Sequence, residues 1–283
     1  MNTSSNTAKE MKEQTILDIL QSGEMPSVAT QFDIFEIKEV AERLIAFDDV
    51  EAGIYNDTDT KEIASNDLTF AKVKFDNRKR VGDAIAISKH LYNDTKEEVI
   101  GTLKPKQVQR TLKTYAKQAL GHGNKDGSGL QFQSILDYNS QDEKELIKGI
   151  KINDTFKGVT TETIVSAIGE YVQNNTAKSI IVVNSLADVI NLTDASGALV
   201  LKTEQSANGS VGTIFGSHTF VVDMNGKAKM VVMNPKAYGV GVKAEYKNPY
   251  SAANAVHTSI IDILSQGKVL DPNGIKIIKD ATA

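Results

Sequence analysis

The chain has no cysteine among its 283 residues, so disulfides, thiolate metal sites and cysteine nucleophiles are excluded, and packing or partners must hold the fold. Tryptophan is absent as well. No apolar run approaches the ~20 residues a membrane-spanning helix needs. Met1 to Asn6 is polar with no apolar signal core behind it, so the chain is expected to stay in the cytosol that made it, with no membrane partner. Positive charge is not in excess either. Lys plus Arg total 32 against 36 for Asp plus Glu, a net charge of −4, which argues against an autonomous nucleic-acid binder and leaves only local contact with nucleic acid. Triplets such as Asn191-Leu192-Thr193 mean nothing for glycosylation without a secretory signal. What is present is a 40% hydrophobic content over a length that can bury a real core, in one large domain or two modest ones.

Along the chain, Ser4 to Ser22 reads as an amphipathic helix with Met11, Ile16, Ile19 and Leu20 on one side, ended by Gly23 and Pro26. A short helix of this kind on a polar tether at a terminus docks on a neighbour more often than it founds a core. Phe47 to Lys79 turns polar and β-like. Within it Thr69, Ala71, Val73 and Phe75 alternate with Leu68, Phe70, Lys72 and Lys74, and Asp57 to Asn66 supplies a tip rich in Asp, Thr and Asn. The expected element is a long hairpin, too thin to be stable alone.

Ala84 to Lys89 reads as a strand, and Asn93-Asp94-Thr95 followed by Glu97 and Glu98 as a helix start. Val99, Leu103, Val108, Leu112, Tyr115, Ala116 and Ala119 then recur at helical spacing up to Gly121, with Pro105 either kinking one helix or opening a second. Thr161 to Asn174 predicts a second amphipathic helix with Ile164, Val165, Ile168 and Val172 inward. Ser179 to Asn184 predicts a buried strand, and Ser185 caps a short helix to Leu192. Thr213 to Asp223 and Lys229 to Met233 flank Asn225-Gly226, the strongest short hairpin signal in the sequence. Ile260 to Leu264 and Gly274 to Ile278 are expected as returning strands.

Little of this carries chemistry. Gly121 to Gly127 superficially suggests a phosphate loop, but it follows a helix and no Gly-Lys-Ser/Thr opens another, so a turn is expected. His90, His122, His218 and His257 have no second ligand at helical or strand spacing, and no Ser, His and Asp set shows a recognisable signature. No catalytic residue, cofactor site or metal site is expected. One charge pattern stands out: Lys106, Arg110, Lys113 and Lys117 recur on one helical face with no carboxylate from Val99 to Lys125. They read either as a solvated face or as a stripe that offsets phosphate repulsion without reading bases.

Taken in order, these elements resemble the major capsid protein of tailed bacteriophages, whose fold is shared with encapsulins and the herpesvirus capsid floor. The likeness rests on Ala86-Ile87-Ser88-Lys89, the helix to Leu120, the Gly-rich turn Gly121 to Leu130, Val182-Val183-Asn184, Asp194 to Gly197, Ile214-Phe215-Gly216 and Gly267 to Asn273. The resemblance implies an α+β fold with an N-terminal arm (1–46), an extended loop (47–82), a peripheral domain with a long spine helix (83–150 and 250–283) and an axial domain with a central sheet (151–249). It implies a non-enzymatic subunit that assembles with copies of itself, in pentamers and hexamers, into the icosahedral head shell around a double-stranded DNA genome. The shell would be made in the host cytoplasm, with a scaffolding protein, portal and decoration proteins as further partners.

The extended-loop residues Leu68, Phe70, Val73 and Phe75 would then meet a neighbouring subunit, and the basic stripe would face packaged DNA. The arm is too short to hold the cleaved scaffolding segment of some members. Other members weld subunits by a Lys–Asn isopeptide bond, for which Lys61, Lys72, Lys74 and Asn273 supply the residue types, but non-covalent closure is the expectation here. Two alternatives remain: an encapsulin-type compartment and, more distantly, a soluble α+β enzyme with a scattered site.

Overall fold

The computed structural model describes residues 27–37, 42–47, 69–121, 132–138, 152–175, 177–204, 206, 208–247, 250–251 and 256–281. The expected helix over Ser4 to Ser22, the tip at Asp57 to Asn66 and the Gly-rich turn beyond Gly121 lie outside them.

Among the described residues, two sheets and two α-helices make up the body. One sheet is built on β13 (Val256–Val269), whose alternation buries Ser259, Ile261, Ile263 and Ser265. On one side of β13 run β11 (Tyr238–Lys247) and β12 (Tyr250–Ser251), and on the other β4 (Lys79–Ser88), all antiparallel to it. The strand β1 (Asp33–Glu36) adds in parallel to β11. The second sheet has seven strands. In spatial order these are β5 (Asn153–Lys157), β14 (Ile275–Lys279), β10 (Met230–Met233), β6 (Ile180–Val183), β9 (Ser217–Val221), β8 (Gly212–Ile214) and β7 (Leu201–Thr203). A separate two-stranded ribbon joins β2 (Glu42–Phe47) to β3 (Thr69–Lys74).

The central strands β6 and β10 are runs of Ile, Val and Met, and β14 adds Ile275, Ile277 and Ile278, so that apolar side chains stand on both faces, because both faces are covered. Ile180, Val182, Val231, Met233, Ile275 and Ile277 pack toward the first sheet and α1 (Lys89–Ala119), in one core with Val108, Leu112, Tyr115 and Val240. Ile181, Val183, Met230, Val232 and Ile278 pack toward α2 (Thr161–Asn174). The larger core therefore runs through both sheets.

The structure corrects several expectations. The helix α1 starts at Lys89, directly from Ser88 of β4, and passes through Pro105 to Ala119 as one helix, so Asn93 to Thr95 are interior. A cap signal is worth only about 1 kcal/mol, less than the tertiary pairing of Ser88 with Val256 can impose on the entry. The α2 boundaries are as expected, set by a capping box in which Thr160 Oγ1 accepts from Thr163 N and Thr163 Oγ1 accepts from Thr160 N. Its buried face, however, is Ile164, Ala167 and Tyr171, with Ile168 half-buried. Val165 and Val172, one residue and about 100° further round, are 50% and 63% exposed.

Asn225-Gly226 does form a tight turn, with φ of 53° and 72° and Lys227 N donating to Met224 O at 3.1 Å. It is not a hairpin between neighbours, because β6 lies between β9 and β10. Asn184 explains the arrangement: its Oδ1 accepts from Met224 N at 2.6 Å and its own N–H donates to Lys229 O, which wraps the connection round the end of β6. The two-residue hairpin turn is instead Phe215-Gly216, both at positive φ, joining β8 to β9 and splitting the strand expected over Thr213 to Asp223. The helix after Ser185 is a single 3₁₀ turn, Leu186–Asp188.

Sheet membership cuts across the expected domain limits. The strand β11 belongs to the sheet of β4 and β13, whereas β14 leaves that sheet for the seven-stranded one. Residues 27–37, assigned by sequence to the arm, are part of the body. Val28, Ala29, Phe32, Ile34 and Ile37 are buried, and Ile37 N donates to Val242 O.

Candidate functional site

The ribbon begins at Glu42 rather than Phe47, because Glu42 to Phe47 pairs residue for residue with Lys74 to Thr69. Its base is anchored on its own chain. Val73 and Phe75 are each 1% exposed and pack with Ile37 and Leu270, and Phe75 meets Phe35 edge to face at 5.0 Å between ring centroids. This corrects their expected place in an inter-subunit contact, since neither side chain is available to a neighbour. The alternation itself holds, with Val73 and Phe75 on one face. Phe70 pairs with Ala46 in the ribbon, and Leu68 lies outside the described residues.

Of the residue types for a cross-link, Lys72 sits in β3 opposite Leu44 and Lys74 is half-buried opposite Glu42. Asn273 is exposed in the turn between β13 and β14, its N–H donating to Asp271 Oδ1 at 3.0 Å. Lys61 lies outside the described residues. Asp271 anchors that turn from a partly buried position, and burial pushes its carboxyl above the usual range. It faces Tyr171, whose hydroxyl donates to Ala177 O and is pushed up to about 12, by burial first and by the Asp271 charge second.

The basic stripe is narrower than its sequence. Lys106, Lys113 and Lys117 are exposed along α1, but Arg110 reaches back to β4, its Nη1 lying 3.1 Å from Asp83 Oδ2. The sequence shows no carboxylate nearby because this one comes from another element. With Arg110 61% exposed, the pair contributes little to stability. Lys113 and Lys117 rim an open groove of about 260 Å³ whose floor includes Val28, Ala116 and Phe220 and whose other side is Val221 to Asp223. A second groove, of about 380 Å³, runs along Thr30 to Ile34 against Pro235 and Lys236. Ser27, at the rim of the first, is committed as a cap, its Oγ accepting from Ala29 N at 3.2 Å. Among the described residues no group of three or more His, Asp and Glu could hold a metal ion, and no helix is long and apolar enough to cross a membrane.

Sequence reasoning missed the groups that clamp α1 in place. Gln107 is fully buried: its Nε2 donates to Asp83 O of β4 and to Ser259 O of β13, and its Oε1 accepts from Ser259 Oγ. The signal was present as polar residues at helical spacing, Gln107, Thr111 and Gln118, beside the apolar face. Beyond α1, Ser134 Oγ and Ile135 N both donate to Ala119 O, and Gln133 Oε1 accepts from Val269 N, which ties the helix end to β13.

Asp194 to Gly197, one of the stretches that carry the resemblance, forms a tight turn, with Gly197 N donating to Asp194 O at 3.0 Å. Asp194 Oδ1 accepts from Ser196 Oγ, Ala198 N and Ser196 N, and Gly197 has φ of 82°. Those bonds, the Ser196 hydroxyl first, hold the carboxyl below its usual pKa. A depressed carboxylate stabilises above its unfolded value of ~3.9 and loses that effect as pH falls through the folded one. Amide exchange at Ser196 and Ala198 should therefore show protection at neutral pH that fades only below pH ~3.9, and Asp194→Asn should weaken that protection and its pH dependence.

No family model matches the sequence, and no curated protein matches it. The fold does match solved structures over most of their length. One is the capsid of an empty GTA particle computed with C5 symmetry, with a TM-score of 0.58 at 13% identity, covering 90% of each chain. A chain from Microbacterium phage Oxtober96 gives 0.55 at 11% identity over 89% of this chain and 90% of that one. One from Gordonia phage Cozz gives 0.53 at 11% identity over 91% and 87%. The chain therefore has the phage capsid fold, as the order of its sequence elements implied.

Proposed function

We propose that this chain is the major capsid protein of a tailed bacteriophage, a non-enzymatic subunit that builds the icosahedral head around double-stranded DNA. The observation that carries the reading is a fold shared with a capsid chain over 90% of each, rather than over one common module. In this reading the β2–β3 ribbon is the extended loop, α1 and the sheet of β13 form the peripheral domain, and the seven-stranded sheet is the axial domain. Among the described residues the ribbon pairs with neither sheet, and Val73 and Phe75 at its base pack on the body. A ribbon of this kind is suited to lie over a neighbouring copy, where a strand edge becomes a contact.

Copies arranged head to tail in rings of five and six close into a shell, and many modest contacts engaged together hold it without a covalent weld. Scaffolding, portal and decoration proteins are the further partners of such a subunit. Packaged DNA is met through its phosphates, without base readout, by the cationic face of α1.

Electron microscopy of the expressed chain tests this, with closed shells as the expected result. Deleting residues 56–66 should abolish shells while leaving the subunit's urea midpoint unchanged. A discrete monomer or dimer at all concentrations would refute the proposal, and particles that hold protein cargo and no DNA would identify an encapsulin-type compartment instead.

A further inference from the structure

We propose that the groove between α1 and β9 is the docking site of the chain's own N-terminal segment, the residues that precede Ser27. The groove has an apolar floor, Val28, Ala116 and Phe220, and its rim carries Lys113 and Lys117 on the α1 side against one carboxylate, Asp223, on the other, so its lining is net cationic. Ser27 lines it, and Val28 and Ala29 are buried beside it, so the preceding segment is joined to the body at the groove. That preceding segment is complementary in both respects. It carries Ile16, Ile19 and Leu20 on one side and four carboxylates, Glu10, Glu13, Asp18 and Glu24, against Lys9 and Lys12.

Size agrees. A 150 Å³ cavity holds one benzene ring, so about 260 Å³ accommodates roughly two aliphatic side chains, such as Ile16 and Leu20 at the i, i+4 spacing of one helical face. Gly23 to Pro26 is a four-residue link, which makes docking intramolecular at an effective concentration on the order of millimolar. The inference does not depend on shell assembly. It narrows the phosphate-facing part of α1, since Lys113 and Lys117 answer the chain's own carboxylates and Arg110 is paired with Asp83, which leaves Lys106 for DNA.

The absence of native cysteine gives a clean test. Val221 lines the groove and Leu264 lies on the other sheet, and both are 41% exposed. In Val221→Cys the thiol should react with a maleimide about tenfold more slowly in the full chain than in a chain lacking residues 1–24. A synthetic peptide of residues 1–24 should restore the slow rate, and Leu264→Cys should react equally in both chains. Should the shortened chain fold poorly, Glu13→Lys with Asp18→Lys in the full chain should speed labelling at position 221 alone. Equal rates at position 221 in every form would overturn the proposal. So would protection that grows with protein concentration, which would seat a second copy's segment in the groove.

Discussion

Gly267→Ala is expected to cost about 3 kcal/mol, read as a fall in urea midpoint with unchanged slope. Gly267 lies where β13 passes beneath two buried rings. A Cβ there would sit 2.8 Å from a ring carbon of Phe132, 2.9 Å from Tyr238 Cζ and closer still to the Tyr238 hydroxyl oxygen. Neither ring has room to yield. Tyr238 is wholly buried, stacks tilted against Phe32 at 5.1 Å between centroids and donates its hydroxyl to Gln133 O at 2.7 Å. Overpacking of this kind costs about 1–3 kcal/mol, and displacing the hydroxyl adds about 0.5–1.5 for the lost hydrogen bond. Gly169→Ala is the contrast. Gly169 sits in α2 with nothing within 4 Å of its added Cβ, so that substitution should stabilise by about 0.5–1 kcal/mol through helix propensity alone. Destabilisation by both would mean that crowding at Gly267 is not the cause.

The two glycines differ in what the sequence could say about them. Gly169 interrupts a clear helical period, and its context is local. Gly267 was legible only as one letter of a pattern near the C-terminus, because the rings that need its bare backbone come from residues 132 and 238. The same divide runs through the fold. Elements set by neighbouring residues were readable: α2 over Thr161 to Asn174, the buried strand Ile180–Val183, the Asp194 turn, and α1 with its ordinary Val108, Leu112 and Tyr115 period. Features set by what arrives from elsewhere were not. Asn225-Gly226 has hairpin chemistry, yet β6 takes the place between its flanking strands. Val165 and Val172 are apolar at helical spacing, yet the neighbouring flank of α2 is the one that is covered. Arg110 has no carboxylate in its own helix, yet Asp83 reaches it from β4. The ribbon's alternation was visible in Val73 and Phe75, but their partners Ile37 and Leu270 stand about forty residues before and two hundred after.

Gln107→Leu should have a cost of similar size, about 2–4 kcal/mol, for a different reason. Leucine fills nearly the same volume, so the loss is polar. The substitution removes two donated bonds, at 3.0 Å to Asp83 O and 2.9 Å to Ser259 O, and the accepted bond at 2.8 Å from Ser259 Oγ. Each bond contributes about 0.5–1.5 kcal/mol net, so the loss of three sums to about 2–4. Ser259 is 2% exposed, so no water replaces the amide. The pair is separable by a double-mutant cycle. Ser259→Ala should destabilise the native chain, but cost less or even stabilise in the Gln107→Leu background, where the hydroxyl is already without its acceptor. Strictly additive effects would show that Gln107 acts through packing alone. Because Gln107 joins α1 to both β4 and β13, the substitution should also loosen the helix as a unit. Amide exchange across residues 107–119 should then rise more than at β6, where the strand is held by β9 and β10 on either side.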